Sequence, residues 1–180
     1  MILEASVDLT QAIDVSSVFR DYAPFAWRFL RRLGVPAADV DDACQEVFVT
    51  VHRKLPEFQG RSSMRTWVFG ICVRVAAAHR RRLRRRREVA ATEAPEPAID
   101  AGQEHEAHVR EAIARLDRIL EKVDDQKRAV FVLYEIEELS MPEVAQAVGC
   151  PLQTAYSRLH AARAEVETLC RRFEGTGRST

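Results

Sequence analysis

Residues 139–163 read LSMPEVAQAVGCPLQTAYSRLHAAR. Ser140 followed by Glu143 is a capping-box pattern, and Pro142 stands where a helix start tolerates a missing N–H. Val144, Ala145 and Val148 would form a short apolar face. Gly149 then supplies the left-handed residue that ends a helix. Pro151 starts a second helix, on which Leu152, Ala155, Leu159, Ala162, Val166 and Leu169 recur at three- and four-residue spacing and predict one buried stripe. Gln153, Thr154, Tyr156, Ser157, Arg158 and His160 are left on the other side. A short capped helix, a tight turn and a longer helix with polar residues at its start match a helix-turn-helix that enters a DNA major groove. An ordinary helical hairpin in an all-α core is the simpler reading. The capping, the glycine turn and the polar outer face favour DNA.

Working outward, 180 residues hold one medium domain or two small ones, and a hydrophobic fraction of 47% supports a core. The formal net charge is zero, but the charges are segregated. Residues 80–87 read RRRLRRRR, and residues 88–107 contain six acids and no lysine or arginine. Cys44, Cys72, Cys150 and Cys170 have no C-x-x-C or zinc spacing and read as small apolar residues in a reducing compartment. The first twenty residues lack a secretory pattern and no stretch is long and apolar enough to span a bilayer. The expectation is a cytoplasmic protein without membrane insertion.

The apolar spacing is helical nearly throughout. Val15, Val18, Phe19, Tyr22, Phe25, Ala26, Phe29, Leu30 and Leu33 predict a first helix, broken by Gly34 and Pro36. A second covers about residues 37–55, with Val40, Cys44, Val47, Phe48, Val51 and Leu55 inside. Residues 56–63 are a polar loop. A third helix starts near Met64, carries Trp67, Val68, Ile71, Cys72 and Val75, and runs into the arginine block. After a stretch containing Pro95, Pro97 and Gly102, Ile113, Leu116, Leu120 and Val123 begin another helix. A further one, capped by Asp124 or Asp125, holds Val130, Phe131, Leu133 and Tyr134. The expected fold is all-α, with two small helical domains joined by a flexible acidic linker. The divisions are a loose segment 1–14, a first domain 15–87, the linker 88–108, a second domain 109–174 and a tail 175–180. Twenty linker residues would average roughly 25 Å end to end as a random chain.

Catalytic patterns are missing: no phosphate loop, nucleophile elbow or H-E-x-x-H. No catalytic residue, metal site or cofactor is therefore expected. His105 and His108 beside Glu104 and Glu106 read as polar linker residues. Seven adjacent guanidiniums repel unless anions neutralise them, which phosphates do with counterion release. Arg80, Arg81, Arg82, Arg84 and Arg85 are thus candidate phosphate contacts. Residues 58–67, FQGRSSMRTW, mix aromatics, arginines and hydroxyls in a way that suits unstacked single-stranded bases. Phe58, Gln59, Arg61, Ser62, Ser63, Arg65 and Trp67 are candidates, although Trp67 is expected mostly in the core. Asp41, Asp42, Gln45 and Glu46 crowd acids onto the front of a helix. Dipole compensation explains part of this, and a basic protein partner the rest.

Two blocks resemble the extracytoplasmic-function (ECF) sigma factors of bacterial RNA polymerase. Residues 41–71, DDACQEVFVTVHRKLPEFQGRSSMRTWVFGI, resemble region two, with its D-x-x-Q-E-x-F, F-x-G-x-S-S and T-W runs. Residues 143–159, EVAQAVGCPLQTAYSRL, resemble the region-four helix-turn-helix. The resemblance spans nearly everything from residue 15 to 173 and implies a promoter-specificity subunit, not an enzyme. It implies that Asp41, Asp42, Gln45 and Glu46 dock on the β′ clamp helices, with the β flap as a second polymerase contact. Residues 58–67 would capture the melted minus-ten strand, the arginines would follow promoter phosphates and the acidic tether would thread the polymerase cleft. Gln153, Thr154, Tyr156, Ser157, Arg158 and His160 would read the minus-thirty-five element. An anti-sigma factor is a usual partner in the family. Tyr156, Ala161 and Ala162 stand where the family commonly has cations, and Arg74 and Ala78 where it often has Asn and Asp. Fewer cations imply a recognition helix that depends on polymerase to stay on DNA. The rival reading is a free-standing helix-turn-helix regulator binding duplex operators.

Overall fold

The computed structural model describes residues 14–90 and 104–176, with side chains described for residues 14–86 and 111–173. Among these the chain forms helices and no strand, as the periodicity predicts. The first unit comprises α1 (Val15–Arg32), α2 (Val40–Lys54) and α3 (Met64–Ala90). Asp14 caps α1 by accepting from the Ser16 N–H at 3.2 Å, and Gly34, at φ +82°, turns the chain out of it. Phe29, Leu30, Val47, Val51, Val68 and Phe69 are fully buried where the three helices meet. Phe69 lies edge-on to Phe25 and Phe29, with centroids 4.4 and 4.6 Å away. Each buried aromatic of this kind contributes about 2–3 kcal/mol of apolar transfer.

The second unit contains α4 (Glu104–Lys122), α5 (Asp125–Phe131), a π-helical turn at Val132–Ile136, α6 (Met141–Val148) and α7 (Leu152–Thr176). The Asp124 carboxylate caps α5, accepting from Gln126 and Lys127. Glu143 reaches back to the Ser140 N–H at 3.0 Å, and Gly149 adopts φ 69°, ψ 44°. Both ends of the first motif helix thus form as its residues predict. Leu120, Val130, Leu133, Val144, Ala155, Leu159 and Ala162 fill the core of this unit.

The two units are packed together. Helix α3 lies on α6, and a Cβ at Gly70 would stand 3.1 Å from the Ala147 carbonyl oxygen. Arg128 of α5 is 0% exposed. Its guanidinium donates to the Leu33 carbonyl at 3.0 Å and the Val123 carbonyl at 2.8 Å, the C-terminal residues that follow α1 and α4. Two helix C-termini therefore direct their negative ends at one buried cation. Gly34 makes the room, since a Cβ there would collide with Arg128 Nη1.

Three expectations change. Phe19 is 53% exposed and Leu152 44% exposed, although both were placed on buried stripes. Phe19 lies one step around α1 from the buried Val18, at the edge of the apolar face, with its ring edge-on to Phe48 4.8 Å away, and Leu152 opens α7 one turn before Ala155 reaches the interior. The expected linker also overlaps helix at both ends, because α3 stays helical to Ala90 and α4 begins at Glu104. His105 and His108 consequently fall within α4. Residues 91–103, together with 1–13 and 177–180, lie outside the described residues, as does the expectation of flexibility for the tether.

Candidate functional site

Helices α1 and α2 leave an open groove of about 810 Å³, lined by Phe19, Trp27, Asp41, Gln45, Val49 and His52 among others. The Trp27 indole donates to the Asp41 carboxylate at 2.9 Å, which fixes the ring across the groove wall. Asp41, Gln45 and Val49 share this face by four-residue spacing. Asp42 and Glu46 lie one step around α2, toward the arginine end of α3. There Glu46 pairs with His79 at 3.1 Å and Arg82 at 3.2 Å. The acidic patch expected as one surface is therefore two, and only Asp41 and Gln45 face the groove. Sequence reasoning missed Trp27, Val49 and the outward face of Phe19. The legible signal was a tryptophan off the apolar stripe of α1. Beside the groove, the Cys44 thiol is pushed up in pKa, first by burial and then by the charge of Asp41.

In the segment after α2, Phe58 and Trp67 pack with centroids 5.2 Å apart. Trp67 is half-buried against the core, close to its expected place. Ser63 is a helix cap: its hydroxyl accepts from the Thr66 N–H at 3.1 Å. Gln59 and Arg61 are exposed and Ser62 partly so. Arg65 is turned away from them and donates to the Glu137 carbonyl at 2.8 Å.

Along the arginine block, Arg80 is half-buried, in ion-pair contact with Asp125 at 2.9 Å and donating to the Leu33 carbonyl at 3.2 Å. Burial lowers its pKa and Asp125 opposes that. Arg84 donates to Asp125 at 3.1 Å, while Arg81 and Arg85 are exposed. The five candidate phosphate contacts are thus not one free strip. On α7, Gln153, Tyr156, Ser157 and His160 form one exposed face at helical spacing. Ser157 donates to the Gln153 carbonyl at 3.0 Å. Thr154 and Arg158 are half-buried, and Arg158 donates to Gln126 Oε1 at 2.7 Å. Among the described residues no group of His, Cys, Asp or Glu has metal-site geometry, and no helix is long and apolar enough to cross a membrane.

Comparison with known proteins gives two family matches, Sigma-70 region 2 over residues 18–86 and Sigma-70 region 4 over residues 113–166. The ECF RNA polymerase sigma factor SigC of Mycobacterium tuberculosis is 34% identical over 137 residues, covering 76% of this chain and 72% of SigC. The chain belongs to the ECF sigma factors. The ECF sigma-E factor of Escherichia coli K12 is 31% identical over 149 residues, covering 74% of each chain. Among solved structures, CnrH in complex with the cytosolic domain of CnrY superposes with a TM-score of 0.65 at 24% identity, covering 88% of both chains. The sigma factor RpoE of Bartonella quintana, in complex with the anti-sigma factor NepR, gives 0.67 at 18% identity, covering 87% of this chain and 96% of that one. These two likenesses establish the shared fold. As a sigma factor, the protein binds RNA polymerase and directs promoter-specific initiation, in a regulatory and non-catalytic family. The free-standing regulator is not favoured. In this sigma factor the region 2 match falls on α1–α3, and the region 4 match runs from α4 into α7.

Proposed function

We propose that the α1–α2 groove is the surface on which this sigma factor docks to the β′ clamp helices of core polymerase. Trp27, Asp41, Gln45 and Val49 make the contact. The observation that carries this is an exposed apolar groove with a carboxylate held at its wall by the Trp27–Asp41 hydrogen bond. An apolar trough with a fixed anion suits an amphipathic helix that presents a basic residue. Glu46, engaged with His79 and Arg82, instead steadies the basic end of α3.

In the same reading, Phe58, Gln59, Arg61 and Ser62 take unstacked minus-ten bases, with Trp67 supporting the Phe58 ring. Gln153, Tyr156, Ser157 and His160 face the minus-thirty-five major groove, and Arg81 and Arg85 follow phosphates. The protein works in the cytoplasm, beside polymerase and DNA. An anti-sigma protein is a further proposed partner, by analogy with the relatives solved in such complexes. The test is transcription and pull-down with purified core polymerase. Asp41→Arg and Trp27→Ala are expected to abolish capture of core, and Asp42→Arg to spare it. Capture by both groove variants at wild-type level refutes the assignment.

A further inference from the structure

We propose that a cavity between α3, α5 and the turn joining α6 to α7 is a binding site for a small monocarboxylate with an apolar tail of about four to six carbons. The site goes beyond the sigma-factor reading. None of its lining residues belongs to the α1–α2 groove, the minus-ten segment or the exposed face of α7.

Much of the lining is apolar. Leu33, Val73, Ala76, Ala129 and Val148 present methyl groups to the cavity, and Leu33, Ala76 and Ala129 are core residues at 4% exposure or less. The cavity holds about 220 Å³. At roughly 30 Å³ for each water-sized group, it takes about seven non-hydrogen atoms. That is the size of a carboxylate with a short tail.

The polar lining is Arg80, Asp125, Gln126 and Arg158, and its charges do not balance. Both oxygens of Asp125 are already taken, one by Arg80 Nε at 2.9 Å and the other by Arg84 Nη1 at 3.1 Å. Arg80 also donates through Nη1 to the Leu33 carbonyl at 3.2 Å, an acceptor it shares with the buried Arg128. Arg158 meets no carboxylate among the described residues, since its hydrogen bond at 2.7 Å goes to the neutral Gln126 side chain. Three guanidiniums thus share one carboxylate. With Arg128, and with Glu121, whose charge also acts on Arg80, four stand against two. Burial lowers the pKa of Arg80, as expected of a cation short of water. An anion here restores the balance. A carboxylate offers it as two oxygens in one plane, the form a guanidinium fork accepts, while its tail covers the methyl groups. A bare anion would leave the apolar lining wet, and a neutral molecule of the same shape would leave the charge uncompensated.

NMR titration of the full chain, labelled with ¹⁵N, tests the site with sodium hexanoate. Hexanamide, the same tail without the charge, and acetate, the charge without the tail, are the comparisons. Hexanoate is expected to shift the amides of Ala77, Gly149 and Cys150, which line the cavity, with a Kd of about 1 mM or below. Each comparison compound should bind at least about tenfold more weakly. At ten times its Kd, hexanoate should raise the melting midpoint by about 3–6 °C. Ala77→Leu fills the cavity with a good helix former and should abolish the shifts. Arg158→Met keeps the packing stem but removes the charge. It should weaken hexanoate at least about tenfold and leave hexanamide unchanged, and it carries the test should Ala77→Leu fold poorly. Equal binding of hexanoate and hexanamide, wild-type affinity in Arg158→Met, shifts confined to the α1–α2 groove, or no shifts at about 20 mM hexanoate each overturn the proposal.

Discussion

Replacing Arg128 by methionine removes the one fully buried cation among the described residues, which joins the two regions. Its two hydrogen bonds, 3.0 Å to the Leu33 carbonyl and 2.8 Å to the Val123 carbonyl, are charge-assisted. Each such bond is worth about 1.5–3 kcal/mol. Methionine fills most of the space but leaves both carbonyls without this donor. Against the loss stands relief of a buried charge whose Nε has no partner. Removing one side of a buried polar pair outweighs that relief, leaving a net destabilisation of about 3 kcal/mol. For a chain of this size that corresponds to a midpoint lower by about 6–12 °C. Calorimetry of the full chain reads it, with the calorimetric enthalpy expected to exceed the van't Hoff value as the regions uncouple. Arg128→Lys keeps the charge but lacks the planar fork that reaches two helix ends, so it should recover less than half of the loss. A methionine variant that melts within about 2 °C of wild type, with unchanged cooperativity, refutes the claim that this side chain holds the regions together.

Phe58→Ala should lower the melting midpoint by several degrees, because the half-buried ring gives up packing as well as its pair with Trp67, worth about 0.5–1.5 kcal/mol beyond burial, and it should slow promoter opening at least tenfold; permanganate footprinting of the minus-ten bases, at a temperature where the variant is folded, measures this. Tyr156→Arg places a cation on the exposed face of α7 and should steepen the salt dependence of minus-thirty-five binding by about one unit, read by anisotropy on a duplex; an unchanged slope would mean that this face does not meet DNA. Glu143 has its pKa held down by the Ser140 hydroxyl first and its N–H second, then by Thr66 and Arg65. Its folded value lies below its unfolded one, so its contribution is present above the ordinary glutamate range and lost as pH falls through the folded value. The midpoint advantage of wild type over Glu143→Gln should therefore shrink as the pH falls below the ordinary glutamate range, and a constant advantage on acidification refutes the assignment.

Much of the fold was legible because local rules agreed with tertiary ones. The Ser140–Glu143 cap, the Gly149 turn and the stripe Ala155, Leu159, Ala162 are properties of short segments. The periodicity of α1 fails at Phe19, which stands at the edge of the apolar face beside the buried Val18, so that its ring becomes the lip of a groove. The acidic run at residues 41–46 shows the limit of composition. Four polar residues in six positions read as one patch, but a 100° step per residue sends Asp41 and Gln45 to one neighbour and Glu46 to another. The arginine block likewise read as one strip of free cations. Arg80 and Arg84 end on Asp125 and Arg82 on Glu46, partners 45, 41 and 36 positions away in sequence.

By itself, the sequence determined the all-helical class, the helix-turn-helix with its caps, the two family regions and the segregation of charge. Each depends on residues within a few turns of one another. The tertiary structure decided which of those residues are available. It exposed Trp27 at a groove, buried Arg128 between two helix ends and turned Arg65, Arg80 and Arg84 onto acids of the other region. Those outcomes follow from contacts between segments 14 to 95 positions apart, where desolvation and charge pairing act on positions that no local spacing records.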